Sequence, residues 1–191
     1  MIEELEIQQR KEKMEHALRQ HALGAAAAGF AAGVVPGAGE IAAMAVAVGF
    51  IWHSYYEIGK IAGVKLENHV IKAIGSAVGA NIAATVISTL AIEMVVGFIP
   101  GLSMFAGAAI DFTIVQIAGN IFIKVLTKIT NEGYDISDLS TEHLISMATE
   151  CTKNMDIKEG IKTAKEEFKQ AKKSGEFDKN KKMDLGDFED E

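Results

Sequence analysis

The amino-acid sequence predicts an all-α protein, built on two apolar helix–Pro-Gly–helix hairpins that form a four-helix core flanked by amphipathic terminal helices. Charge placement is the first reason. Of 191 residues, the first 21 carry nine charges and the last 61 carry 26, whereas residues 22–130 hold ten. An internal repeat is the second. GVVPG (33–37) aligns with GFIPG (97–101) at an offset of 64, and the register continues with Ala42 over Ala106, Ala45 over Ala109 and Lys60 over Lys124. Such repeats are sought before any motif is believed. The third is that the two prolines, Pro36 and Pro100, both stand at these corners, each followed by glycine (Gly37 and Gly101). Proline lacks the N–H donor and glycine relaxes the backbone, so the pair ends a helix.

The elements follow in order. Residues 1–21 contain neither Gly nor Pro and are rich in Glu, Gln, Lys, Arg, Leu and Ala, which predicts an N-terminal amphipathic helix. That helix is acidic and lacks a basic segment before an apolar run, so it does not read as a secretory signal. Residues 22–130 form the apolar hairpin core. Its four helices run through 22–33, from about 38 to 62, from 69 to 98 and from the second corner to about 130, with a polar connection at 63–68. Residues 131–173 predict two amphipathic helices, at 141–153 and 157–173. The second opens on Asp156 and Glu159 as a capping-box-like pair, and Ile157, Ile161, Ala164, Phe168 and Ala171 make one narrow apolar stripe. Residues 174–191, mixed in charge and poor in large apolar side chains, read as a disordered acidic tail.

One stretch of the first hairpin, VVPGAGEIA (34–42), has the G-x-G-x-x-A spacing of a dinucleotide-binding turn. That turn needs a strand before it, and GAAAAGFAAG is not β-branched. In the second copy of the repeat Gly39 becomes Ser103 while Pro-Gly is kept, so what repeats is the corner. No Gly-Lys-Ser/Thr phosphate loop occurs, and NKKMD (180–184) has Met183 where a guanine-reading motif needs Asp. The five histidines are dispersed, and His16 and His21 miss the i,i+4 spacing of a helical metal pair. Cys151 excludes an intrachain disulfide and reads as an ordinary thiol. Net charge of −7 without a basic-aromatic tract argues against nucleic acid. No catalytic residue, cofactor site or metal site is expected.

A membrane helix needs about 20 mainly apolar residues. Residues 73–92 supply 20 without a charge, and 94–123 are interrupted by Asp111 alone. If four segments cross, Arg19, Lys60, Lys65, Lys72, Lys124 and Lys128 all fall on one side, the positive-inside pattern with both termini cytoplasmic. Trp52, Tyr55 and Tyr56 cluster one turn before Lys60, as interfacial aromatics would. Gly29 with Gly33, and Gly75 with Gly79, have the G-x-x-x-G spacing that lets helix backbones approach within lipid. Three acids stand in the apolar core: Glu40, near a helix start where the dipole favours it, and Glu93 and Asp111, which read as functional or pore-lining in a membrane and as hydrogen-bonded core groups in a soluble bundle.

The two hairpins, VVPGAGEIAAMAVAVGF and GFIPGLSMFAGAAIDFTIVQIAGNIFIKVL, resemble the hydrophobic helical domain of unknown function of YcjF-type bacterial proteins. The resemblance covers residues 22–130. It implies membrane association and a link to small GTPases, here a separate chain, but no reaction. The reading expected from sequence is thus a non-catalytic, oligomerising anchor or scaffold in the bacterial inner membrane, binding itself and a protein partner. The alternative is a soluble bundle that inserts its central hairpin (73–123) to permeabilise a membrane, as pore-forming toxins do. A third is a cytoplasmic helical scaffold.

Overall fold

The computed structural model describes residues 2–32, 39–64, 67, 69–79, 82 and 103–180, the side chains of 2–4, 32, 39–46 and 103–106 excepted. Its elements are α1 (Ile2–Ala32), α2 (Gly39–Ala62), α3 (69–79), α4 (Ser103–Asn131), a 3-10 turn at Ile136–Asp138, α5 (Thr141–Lys153) and α6 (Ile157–Ser174). No strand occurs among the described residues, so the chain is all-α. Both corners (Pro36, Gly37, Pro100, Gly101) lie outside them, as do Gly33 and Glu93 and the side chain of Glu40.

Helix α1 has 31 residues, about 46 Å at 1.5 Å per residue. It passes without a break through residues 21–22, where the sequence suggested a domain boundary. Charged residues give way there to alanine, the best helix former. The shift changes which surface the helix presents and leaves its backbone path alone.

Helix ends are satisfied locally. Gly63 and Gly133 take positive φ, 76° and 75°. Each donates its N–H three residues back, to Lys60 and Thr130, while the next residue reaches five back: Val64 to Gly59 at 2.9 Å and Tyr134 to Ile129 at 3.2 Å. This pairing covers the orphan carbonyls of α2 and α4, and a left-handed glycine makes it possible. Ser140 caps α5 by accepting from the His143 N–H, and Asp156 caps α6 by accepting from the Glu159 N–H at 3.0 Å, the position the sequence indicated.

Helix α4 is the centre of the bundle. Gly119 faces Leu18 and Asp111 faces Gly29, so α1 runs antiparallel to α4. Arg10 reaches Ala62, and His21 meets Glu57, so α2 runs antiparallel to α1. Gly160 lies against Ile117 and Phe168 against Phe112, which sets α6 antiparallel along the first half of α4. Lys128 joins Glu150 at 2.6 Å and ties α5 to the far end of α4. Leu18, Tyr55, Ile58, Ile74, Phe112, Ile117, Ile121, Phe122 and Leu144 are fully buried in one contiguous core. Each such side chain contributes roughly 1.5–3 kcal/mol by leaving water.

Candidate functional site

Among the described residues one stretch, Gly107–Asn131 of α4, is long and apolar enough to cross a membrane, and 72% of its most apolar part is buried within the molecule. Polar groups are buried along this helix, and other helices cover it.

Asp111 stands in the first half of α4, is 2% exposed, and its Oδ2 has no hydrogen-bond partner among the described residues. Gly29 of α1 crosses directly over it. A Cβ on Gly29 would overlap the Asp111 carboxyl, and the Gly29 carbonyl lies 3.6 Å from where a Cβ on Gly107 would stand. Small residues therefore bring the two backbones together at this level, and the carboxyl fills the remaining space. Burial without a partner disfavours the charged form, and it pushes the Asp111 pKa to about 7. One turn and a half further along α4, Gln116 is also buried, with its Oε1 unpartnered among the described residues. Thr113 is satisfied by donating to the Ala109 carbonyl at 2.7 Å.

A second polar seam joins α1 and α2. His21 Nε2 lies 2.6 Å from Glu57 Oε2, and its Nδ1 is buried without a partner among the described residues. The His53 ring is stacked 6.5 Å away, and desolvation together with His21 lowers the His53 pKa. A shallow open groove nearby is lined by Glu12, Lys13, His16, Gln20 and Glu57. No group of three His, Cys, Asp or Glu among the described residues converges as metal ligands would.

The cover over α4 is held by a mixed set of contacts. Phe168 packs 5.4 Å from Phe112 and 5.1 Å from Phe177, centroid to centroid. Arg19 of α1 donates twice to Glu176, at 2.9 and 2.8 Å, and stands 4.0 Å from Glu167. The Lys179 ammonium sits 5.8 Å from the Phe30 ring centroid. Residues 175–180, which composition assigned to a disordered tail, thus wrap back onto α1 and α6.

The remaining residues singled out from sequence are dispersed. Tyr55, expected at a lipid interface, is fully buried, stacks 4.1 Å from Phe122 and donates to the Ala118 carbonyl at 3.2 Å. Tyr56 is exposed and Trp52 half-buried. The Trp52 indole lies against Gly75: a Cβ there would be 2.8 Å from its Cη2. Gly79 is exposed, and no described residue lies within 4 Å of where its Cβ would stand. Cys151 is half-buried, and burial raises its pKa, which keeps it an unreactive thiol. Sequence reasoning missed the Arg19–Glu176 pair, because a contact across 157 residues leaves no local signal.

The chain matches no protein-family model, no curated protein and no solved structure.

Proposed function

We propose that the protein is a non-catalytic, membrane-acting helical bundle that shelters its apolar segment 73–123 beneath charged helices and delivers it into a bilayer. The observation that carries this reading is the position of α6. It lies along the first half of α4, over the one described stretch of span length, and its outward faces carry Lys158, Lys162, Lys165, Lys169, Lys172, Lys173, Glu159 and Glu166. A charge at the centre of a bilayer costs roughly 2.5–3.5 kcal/mol on insertion scales. Helix α6 therefore cannot stay at its post while α4 crosses. The same argument applies to the charged half of α1. Insertion requires the cover to leave, and in water the cover is what keeps α4 dry.

Two buried side chains within the sheltered stretch, Asp111 and Gln116, each have one oxygen (Oδ2 and Oε1) with no hydrogen-bond partner among the described residues. They weaken its packing in the bundle, so the sheltered state is held with less margin than an all-apolar helix would give.

A tether tests the reading. Gly160 would place a Cβ 3.7 Å from Ile117 Cγ1, so Gly160→Cys with Ile117→Cys, in a Cys151→Ser background, can join α6 to α4. The reduced protein is expected to release dye from lipid vesicles, the oxidised protein to be silent, and reductant to restore release. Equal leakage from both forms would remove the proposal.

A second reading, a permanently inserted scaffold, is favoured by the close Gly29–Gly107 approach, which resembles helix packing in lipid. Carbonate-resistant pelleting from cells, without any water-soluble pool, would select it.

A further inference from the structure

We propose that one flank of α6 is a docking surface for an anionic bilayer. Lys158, Lys162, Lys165, Lys169 and Lys172 follow one another at spacings of four, three, four and three residues. At 100° per residue they fall within an arc of about 80°, and at 1.5 Å per residue they extend for about 21 Å. Each lysine comes one position after a member of the inward stripe Ile157, Ile161, Ala164, Phe168 and Ala171, so the basic row stands about a quarter-turn to one side of the buried face. The opposite flank is Gly160, Thr163, Glu167, Gln170 and Ser174, and it is the one turned to α1, where Glu167 meets Arg19. The lysine flank is thereby on the side away from α1. Lys158, Lys162, Lys169 and Lys172 are exposed and Lys165 is half-buried.

Charge decides the occupant. The chain carries −7 overall, yet α6 gathers six lysines against three glutamates, with the lysines sorted to one side. A planar anionic surface is met by a straight basic row on a rigid helix, while the acidic remainder is repelled and the bundle is oriented with α6 towards the lipid. The acids beside the row do not block it. Glu159 lies 3.6 Å from Lys162 and Glu166 3.4 Å from Lys169, and such exposed pairs are weak enough to yield to lipid phosphates. Docking goes beyond insertion: it brings to the membrane the helix that must move, and it holds whether or not segment 73–123 enters.

Sedimentation with vesicles tests it, using phosphatidylcholine alone and phosphatidylcholine with about 30% phosphatidylglycerol at low salt. The parent protein is expected to pellet with the anionic vesicles only, and to be released by salt. Lys158→Gln with Lys162→Gln and Lys169→Gln should weaken binding about fivefold per lysine, roughly a hundredfold together. The matching Lys→Arg variant should bind like the parent. Lys11→Gln with Lys13→Gln and Lys153→Gln, equal in charge change but elsewhere, should have little effect. Circular dichroism of each variant checks that the helices are kept. No preference for anionic vesicles, equal binding by the α6 Gln variant, equal weakening by the control, or tighter binding to single-stranded DNA than to vesicles would each overturn the proposal. Dye release from the same vesicles separates the two ideas. Binding without release leaves docking standing and defeats insertion; release that ignores lipid charge does the reverse.

Discussion

The carboxyl of Asp111 on α4 occupies the space that a side chain at Gly29 on α1 would need. The pair explains why α1 and α4 approach so closely here, and why a charged residue type is sealed inside the bundle. It also makes the first prediction. Gly29→Ala should gain up to about 1 kcal/mol of helix propensity but lose on the order of 1–3 kcal/mol to overpacking, for a net destabilisation. Asp111→Ala in the same chain should relieve the overlap, so the double variant is more stable than additivity allows. Urea unfolding of the four proteins of the cycle measures this. Additive effects would mean that the two residues do not share the space.

The same carboxyl gives stability a pH dependence of definite sign. Its pKa rises from 3.8 in the free chain to about 7 in the bundle. Well below pH 4 the group is neutral in both states and contributes nothing. As pH rises towards 7 the unfolded chain ionises first and is favoured, and well above 7 the cost is fully present, on the order of 4 kcal/mol. Burial raises the Glu167 pKa as well, adding to the same trend. Asp111→Asn should therefore gain stability relative to the parent as pH is raised through this window. A difference that does not change between acidic and alkaline buffer would count against an unpartnered, buried Asp111.

Arg19 should act as the latch of the cover. It grips Glu176 through two nitrogens while only 26% of its side chain is exposed. Glu176 and Glu167 hold the Arg19 pKa above its already high value. Arg19→Gln is expected to cost about 0.5–1 kcal/mol and to speed amide exchange in residues 168–177 well beyond the change in α5. If α6 shelters the membrane-active segment, vesicle leakage should also quicken. Arg19→Glu with Glu176→Arg should restore both only in part, because a carboxylate at position 19 also faces Glu167; unchanged exchange in Arg19→Gln would discard the latch.

Gly75 and Gly79 share a spacing motif but should respond in opposite directions. Gly75→Leu drives its side chain into the Trp52 indole, so the fluorescence of the single tryptophan should change and the melting temperature fall. Gly79→Ala meets no described residue and should stabilise α3 by about 0.5–1 kcal/mol. Destabilisation at both positions would point to a second surface pressed against α3.

Tyr55→Phe keeps the stacking on Phe122 and removes one bond to the Ala118 carbonyl. The expected cost is about 0.5–1.5 kcal/mol, whereas Tyr55→Ala, which opens a cavity, should cost about 3–5 kcal/mol. Thermal unfolding distinguishes them, and near-equal costs would place the value of Tyr55 in its hydroxyl.

By itself the sequence determined the helical class, the position of the apolar middle, the cap at Asp156 and the inward stripe of α6. Each is written in neighbours at most a few residues apart: helix propensity, a 3.6-residue period, a side chain that reaches its own backbone. What lies between distant helices had no such trace. Tertiary structure alone decided that Tyr55 belongs to the core, because a ring between polar and apolar neighbours suits a lipid interface and a protein interior equally well until Phe122 and the Ala118 carbonyl are seen beside it. It decided that Gly75 makes room for Trp52 and Gly29 for Asp111, since a small residue states that something comes close and not what. It decided that residues 175–180 are held, because Arg19 and Phe168, which hold them, stand in other parts of the chain. Burial is a property of what arrives from elsewhere, and the apolar α4, which its composition alone would send into lipid, is covered here by helices whose other faces are charged.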